Sequence, residues 1–296
     1  MRFDIPVSRL VTEAWLELPV EVLHGTQNGP RVWLSAAVHG DELNGVEIIR
    51  QVLQKLDPKK LTGSVIATPI VNVFGFISQS RYLPDRRDLN RSFPGTSKGS
   101  MAGRLANLFM TEIVQHCTHG IDLHTGSNHR TNLPQLRADL QQEATQEFAE
   151  SFGAPVILDT NTRDGSLREA ANSLGIPVLV YEAGEPLRFD AEAISVGIKG
   201  VLRALGSLGM IVPPRKKPPA VRIFSRSKWT RAKRSGILRL EVKLGDEVVK
   251  KQRLGSIGDA FGAGESVVTA NESGLIIGHV NNPLVHQGDA VVHIAY

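Results

Sequence analysis

The sequence predicts an α/β protein with a mixed, largely parallel sheet flanked by helices, followed by a small all-β segment. Two observations carry this. Short apolar or β-branched runs bounded by Gly or Pro alternate with helix-length stretches of three-and-four apolar spacing as far as residue 205. Beyond a Pro-rich interruption the texture changes to short strands and turns.

The predicted strands are 31–38 (RVWLSAAV), 63–73 (GSVIATPIVNV), 120–123, 154–158 and 176–181 (IPVLVY). Their runs are almost uninterruptedly apolar, as expected of strands buried on both faces. The predicted helices are 42–56, 100–117, 138–152 and 191–205. Strands alternating with helices imply parallel pairing through helical crossovers. At 211–220 (IVPPRKKPPA) four prolines and three basic residues interrupt both periodicities, so this stretch is read as a linker. The expected division is a main domain over 1–212, a linker over 213–220 and a β module over 221–296. That module carries a weak internal repeat, SGILRLEVKLGDEVVKKQRLGSI against SGLIIGHVNNPLVHQGDAVVHI.

Composition narrows the function. The lone Cys117 forbids an internal disulfide framework, and the first residues lack the apolar core of a signal peptide, so a reducing cytoplasm is expected. Net charge is +4, with basic residues and no acid from Arg215 to Arg234. That stretch is read as a solvated basic face, because aromatic residues such as Trp229 are too few within it to form a stacking platform. Neither nucleic acid nor a membrane is an expected partner.

Residues that could carry chemistry gather at predicted strand ends. In HGDE, His39 and Glu42 stand at i and i+3 after the first strand, where an open α/β sheet binds its ligands. The pair alone is a weak signal, because nine histidines and 30 acids produce about one such spacing by chance. His119 with Asp122 and His286 with Asp289 also match it. His124 ends another apolar strand and offers a third donor of the kind zinc takes. Asp122 shares its strand face and is a candidate carboxylate behind it. Glu182, after IPVLVY, is a candidate general base. Arginines crowd 81–91 (RYLPDRRDLNR) and recur at Arg130 and Arg137, which suggests a carboxylate-bearing substrate. Asp85 and Asp88 are expected to pair with Arg86 and Arg87, leaving Arg81 and Arg91 free. The polar stretch GSNHRTNLPQLR after His124 is read as a loop suited to acyl recognition. A serine or thiol nucleophile is not expected; Cys117 lies at a helix end, where a packed thiol is the ordinary state.

HGDE, DLNR, DLHTG and YEAGE, in that order, resemble the succinylglutamate desuccinylase and aspartoacylase branch of the zinc carboxypeptidase superfamily, over most of residues 20–210. The resemblance implies a zinc-carboxypeptidase-like fold and one Zn2+ per chain on His39, Glu42 and His124. It implies that Glu182 activates water, that Asn90 and Arg91 hold the substrate's α-carboxylate, and that Arg81 polarises the scissile carbonyl, with Arg86 or Arg87 as alternative matches. Arg130 is a further substrate-binding candidate. The C-terminal repeat resembles the barrel-sandwich hybrid of biotinyl and lipoyl domains. Those carriers hold a lysine on the hairpin between the copies, and here no Lys follows Lys251, so a structural or lid role is expected.

The expected activity is therefore zinc-dependent deacylation of an N-acyl amino acid or related carboxylate-bearing amide. The alternatives are a zinc carboxypeptidase acting on a short peptide, and a non-catalytic module binding an acidic partner through its basic segment. The acyl group and the oligomeric state, a homo-oligomer included, are left open.

Overall fold

The computed structural model describes residues 1–215, 220–261 and 264–296, so 216–219 of the expected linker lie outside the described residues. The chain runs β1 (Arg2–Arg9), β2 (Trp15–His24), β3 (Gln27–Ala36), α1 (Asn44–Lys55), β4 (Thr62–Thr68), α2 (Val73–Ile77), α3 (Met101–Glu112) and β5 (His119–His124). It continues through β6 (Arg130–Ala138), α4 (Glu143–Phe152), β7 (Val156–Asp159), α5 (Leu167–Asn172), β8 (Val178–Gly184) and α6 (Ala191–Ser207). Each predicted strand and helix has a counterpart among these elements.

β3, β4, β5 and β8 pair in parallel in the order β4-β3-β5-β8, with β2 and β1 added antiparallel at the outer side. Val32, Trp33, Leu34 and Ala36 of β3 are all buried, as a strand covered on both faces must be. One face packs against α1, α4 and α6 through Ile48, Ile49, Val52, Phe148, Phe152 and Val201. The other packs against α3 and α5 through Leu105, Phe109 and Leu167 around Trp33. A methyl group at Gly120, on β5, would stand 2.1 Å from the Trp33 ring, so the small residue there admits the indole.

The expected loop after His124 is instead β6, inside the sheet. It runs antiparallel to β8 and parallel to β7. Pro134 concealed it, since proline donates no ladder hydrogen bond, and the register with β8 shifts between Asn132 and Gln135 at that residue.

After α6 the chain forms β9 (Arg222–Phe224), β10 (Ser227–Arg231), β11 (Gly236–Leu240), β12 (Glu247–Val248), β13 (Arg253–Gly258), β14 (Ser266–Thr269), β15 (Gly274–Val280), β16 (Leu284–Val285) and β17 (Ala290–Ala295). The sequence repeat becomes reciprocal pairing. β12 of the first copy joins β15 of the second, and β16 of the second joins β11 of the first. A small antiparallel sheet, β14-β13-β11-β16, results. The other strands extend the main sheet, β15 pairing antiparallel with β6 and β9 parallel with β7.

Candidate metal centre and the cavity around it

His124 and Glu182 are register partners on neighbouring parallel strands, so their side chains leave the same sheet edge on one face. His39 reaches that edge differently. β3 ends at Ala36, and the chain turns through Ala37 (φ 47°) before His39. The turn closes with Glu42 N–H donating to His39 O at 3.1 Å. Gly40 is dictated by contact, since a Cβ there would lie 1.9 Å from the backbone of Gly75. Asn44, buried at the start of α1, donates to Ala183 O and accepts from Asp190 N–H, which ties the turn to the end of β8.

Glu42 is the hub. Its Oε1 lies 2.8 Å from His39 Nδ1 and its Oε2 2.7 Å from His124 Nδ1, all three residues being buried. One donor atom from each of the three falls within 4.8 Å of the others, and the two rings stand 5.0 Å apart. The second nitrogen of each ring meets a different carboxylate, His39 Nε2 facing Asp88 at 3.1 Å and His124 Nε2 facing Asp122 at 2.7 Å. Ser35 donates to the other oxygen of Asp122 at 2.7 Å. With each Nε2–H donated to a carboxylate, both Nδ1 lone pairs are left pointing inward. Two imidazole nitrogens and a carboxylate, converging and backed in this way, fit zinc's preferred donors with room for water.

The buried carboxylates and imidazoles shift one another's titration. Burial alone would raise the Glu42 carboxyl's pKa, but His39 and His124 reverse that and hold it far below the usual carboxylate range. Burial would lower the pKa of both imidazoles; Glu42 with Asp88, and Asp122 with Glu42, raise them instead.

Arg81 donates to Glu42 Oε1 at 3.2 Å and to Asp88 Oδ2 at 2.9 Å. The expected pairing within the arginine loop is thus corrected for Asp88, which joins Arg81 and His39. Asp85 remains near Arg87, at 3.8 Å, and also accepts from Ala102 N–H at the start of α3. Glu182 accepts from Asn132 Nδ2 at 2.7 Å, and Arg137 Nε lies 3.0 Å from its other oxygen as a charge contact without an aligned N–H.

These groups open onto one cavity of about 350 Å³, which also includes Asn90, Arg91, Arg130, Arg137, Arg163, Arg168 and Trp229. Asn90 Oδ1 accepts from Leu167 N–H, which leaves its amide hydrogens for a ligand. Arg91 Nη1 donates to Asn90 O. Arg130 lies over Trp229 at 5.1 Å. Arg163, Arg168 and Asn132 escaped the sequence reading. Arg168 is buried and donates to Thr160 and Asn161, while its Nη1 has no partner among the described residues. Burial lowers its pKa to about 10, with Arg137 adding repulsion. The signal that could have found it is SLRE at 166–169, an arginine on the first turn of a helix that follows a strand end.

Other nucleophiles are poorly placed. Burial pushes the Cys117 thiol up to about 12, and its Sγ–H faces Ile113 O. A Gly-x-Ser-x-Gly pattern occurs at 95–99 (GTSKG), but it forms exposed turns before α3 rather than a strand-to-helix elbow.

Trp229 stacks on its far side against His293, centroids 4.5 Å apart and planes at 8°. Burial, then Arg137, Arg163 and Arg130, depress the His293 pKa to about 3. An unfolded histidine protonates near 6.5, so below that pH the unfolded chain binds a proton that the fold refuses. The resulting stability is complete above pH 6.5 and is lost as pH falls towards 3, at up to about 1.4 kcal/mol per pH unit. A His293→Phe variant is expected to lose melting temperature less steeply than the parent between pH 6.5 and 4. Parallel melting curves would show that His293 contributes nothing to acid sensitivity.

The candidate donors stand at strand ends of a large mixed sheet and face an arginine-lined cavity, and the family that this arrangement points to is one of amide-hydrolysing deacylases. Residues 28–208 match the succinylglutamate desuccinylase/aspartoacylase catalytic domain, and the chain belongs to that family. It is 26% identical over 298 residues to an N-alpha-acetyl-L-2,4-diaminobutyric acid deacetylase from Halomonas elongata, covering 95% of this chain and 87% of the relative. A succinylglutamate desuccinylase/aspartoacylase structure from Rhodobacter sphaeroides superimposes with TM-score 0.88 at 26% identity, covering 99% of this chain and 94% of that one. The product-bound ectoine utilization protein EutE (DoeB) from Ruegeria pomeroyi shares the fold, with TM-score 0.89 at 23% identity and the same coverages of 99% and 94%.

Proposed function

We propose that the protein is a zinc-dependent amide hydrolase that removes the acyl group from an N-acyl amino acid or a related carboxylate-bearing amide. The observation that carries this reading is the convergence of His39, Glu42 and His124, with a carboxylate behind each imidazole. A zinc ion held there would supply the Lewis acidity that makes water nucleophilic near neutral pH.

The chain's own groups do the rest. Asp88 and Asp122, by accepting from the Nε2–H groups, would leave the Nδ1 atoms of His39 and His124 free to hold the ion with Glu42. Glu182 takes a proton from the attacking water and returns it to the departing amine nitrogen. Arg81 supplies positive charge where the scissile carbonyl oxygen becomes anionic. Asn90 and Arg91 grip the α-carboxylate, and Arg130, set against Trp229, faces the remainder of the substrate. The cavity carboxylates are already engaged by histidines, arginines or Asn132, while Arg91, Arg163 and one edge of Arg168 have no carboxylate partner among the described residues. This charge surplus favours anionic substrates over the second amine carried by a diaminobutyric acid. The cavity volume favours an amino-acid-sized ligand over a polypeptide.

Residues 1–212 would form the hydrolase unit and 221–296 a β module that closes one wall of the cavity through Trp229. Among the described residues no helix is long and apolar enough to cross a membrane. A cytoplasmic setting is proposed from the single cysteine.

The test combines elemental analysis with hydrolysis of N-acetyl, N-succinyl and N-formyl amino acids and short acidic peptides. About one zinc per chain, with amino acid released from an acylated substrate, is expected. Failure to take up zinc after reconstitution would overturn the reading, and turnover of peptides alone would favour a carboxypeptidase.

A further inference from the structure

We infer that Asn132 is the positioning residue for Glu182, and that Gly278, in the C-terminal segment, reserves the space its amide needs. The inference rests on the proposed role of Glu182 as proton carrier.

Asn132 is buried, at 6% exposure, and Nδ2 donates to Glu182 Oε2 at 2.7 Å. An ionised carboxylate only accepts, so the amide must present its NH2 to Glu182 and turn Oδ1 away. In that direction lies β15, where Gly278 is the register partner of Asn132. A Cβ at Gly278 would stand 2.9 Å from Asn132 Oδ1, closer than packed atoms approach; the next neighbours, Thr131 O and His293 Cβ, lie at 3.3 and 3.5 Å. The backbone at Gly278 is outside the left-handed region, so an alanine there meets no conformational obstacle and would have to displace the amide of Asn132. Arg137 Nε stands 3.0 Å from Oε1, so each oxygen of the carboxylate has its own neighbour on β6. The C-terminal strand thereby shapes the reaction site through the amide of Asn132, without touching Glu182 through any contact described.

The experiment uses the full-length, zinc-loaded protein and compares Asn132→Ala, Asn132→Asp, Gly278→Ala and the Asn132→Ala/Gly278→Ala pair, with zinc content and melting temperature measured alongside. Asn132→Ala is expected to lower kcat by about 10- to 100-fold with KM unchanged, the scale seen when a supporting partner is lost. Asn132→Asp, which sets a like charge against Glu182, is expected to lower it at least as far. Gly278→Ala should lower kcat in the same direction, and the pair should be no worse than Asn132→Ala, because residue 278 acts only through the amide. Wild-type kcat in Asn132→Ala, or a Gly278→Ala loss that adds in full in the pair, would overturn the inference. If Glu182→Gln itself retained wild-type kcat, the proton-carrier reading would fail instead. An inactive Glu182→Gln beside a fully active Asn132→Ala would remove the positioning role alone.

Discussion

Glu182→Gln is expected to lower kcat by about 10²- to 10⁴-fold, the usual contribution of a positioned general base, while KM and bound zinc change little. Glutamine keeps the shape of the side chain and can still accept from Asn132, so the sheet edge should survive. It cannot take a proton from water. Its neighbours show why the loss should appear in kcat: Glu182 is held by Asn132 and Arg137 on β6, whereas the groups proposed to grip the substrate's carboxylate, Asn90 and Arg91, lie on a different segment. Steady-state kinetics on the best substrate of the acyl panel checks this. A kcat within about threefold of the parent would exclude Glu182 as the base, since a positioned general base contributes far more.

His124→Ala is expected to have the larger combined effect, removing both zinc and activity. One of three donors disappears, and the two carboxylates it bridged, Glu42 and Asp122, lose their shared partner. Both are almost completely buried, at 1% exposure. Breaking a buried charge pair from one side costs about 3–5 kcal/mol, because the remaining charge is stranded. The metal-free variant should therefore melt well below the metal-free parent, in addition to emerging from dialysis without zinc. Elemental analysis and calorimetry on the same preparations measure the two effects. Stoichiometric zinc in the variant would show that the ion, if bound, sits elsewhere.

The main strands were legible because each is a local apolar run. RVWLSAAV and IPVLVY are buried on both faces, and burial leaves that mark on the residues themselves. The histidines and Glu182 were legible for a related reason, since a polar residue ending such a run must lie at the sheet edge where ligands bind. β6 was not legible. Its RTNLPQLRA mixes a proline with polar groups, and its place comes from pairing on both sides with strands distant in sequence. The N-terminal strands β1 and β2 were missed because β1 is largely exposed and β2 alternates buried with exposed residues, so neither leaves a continuous apolar run. The C-terminal repeat was visible, but its reciprocal strand exchange and its junction with β6 were not.

Sequence by itself determined the alternation of strands and helices and the placing of His39, Glu42, His124 and Glu182 at or just after strand ends, because local hydrophobicity and chemical type are properties of neighbouring residues. The i, i+2 spacing on one strand already placed Asp122 beside His124, but only the tertiary structure decided that Asp88 stands behind His39, that Arg163 and Arg168 enter the cavity, that Trp229 walls it, and that Gly278 faces Asn132. Those relations depend on strand order, register and the direction of each side chain, which arise when segments far apart in the chain pack together and which no local period records.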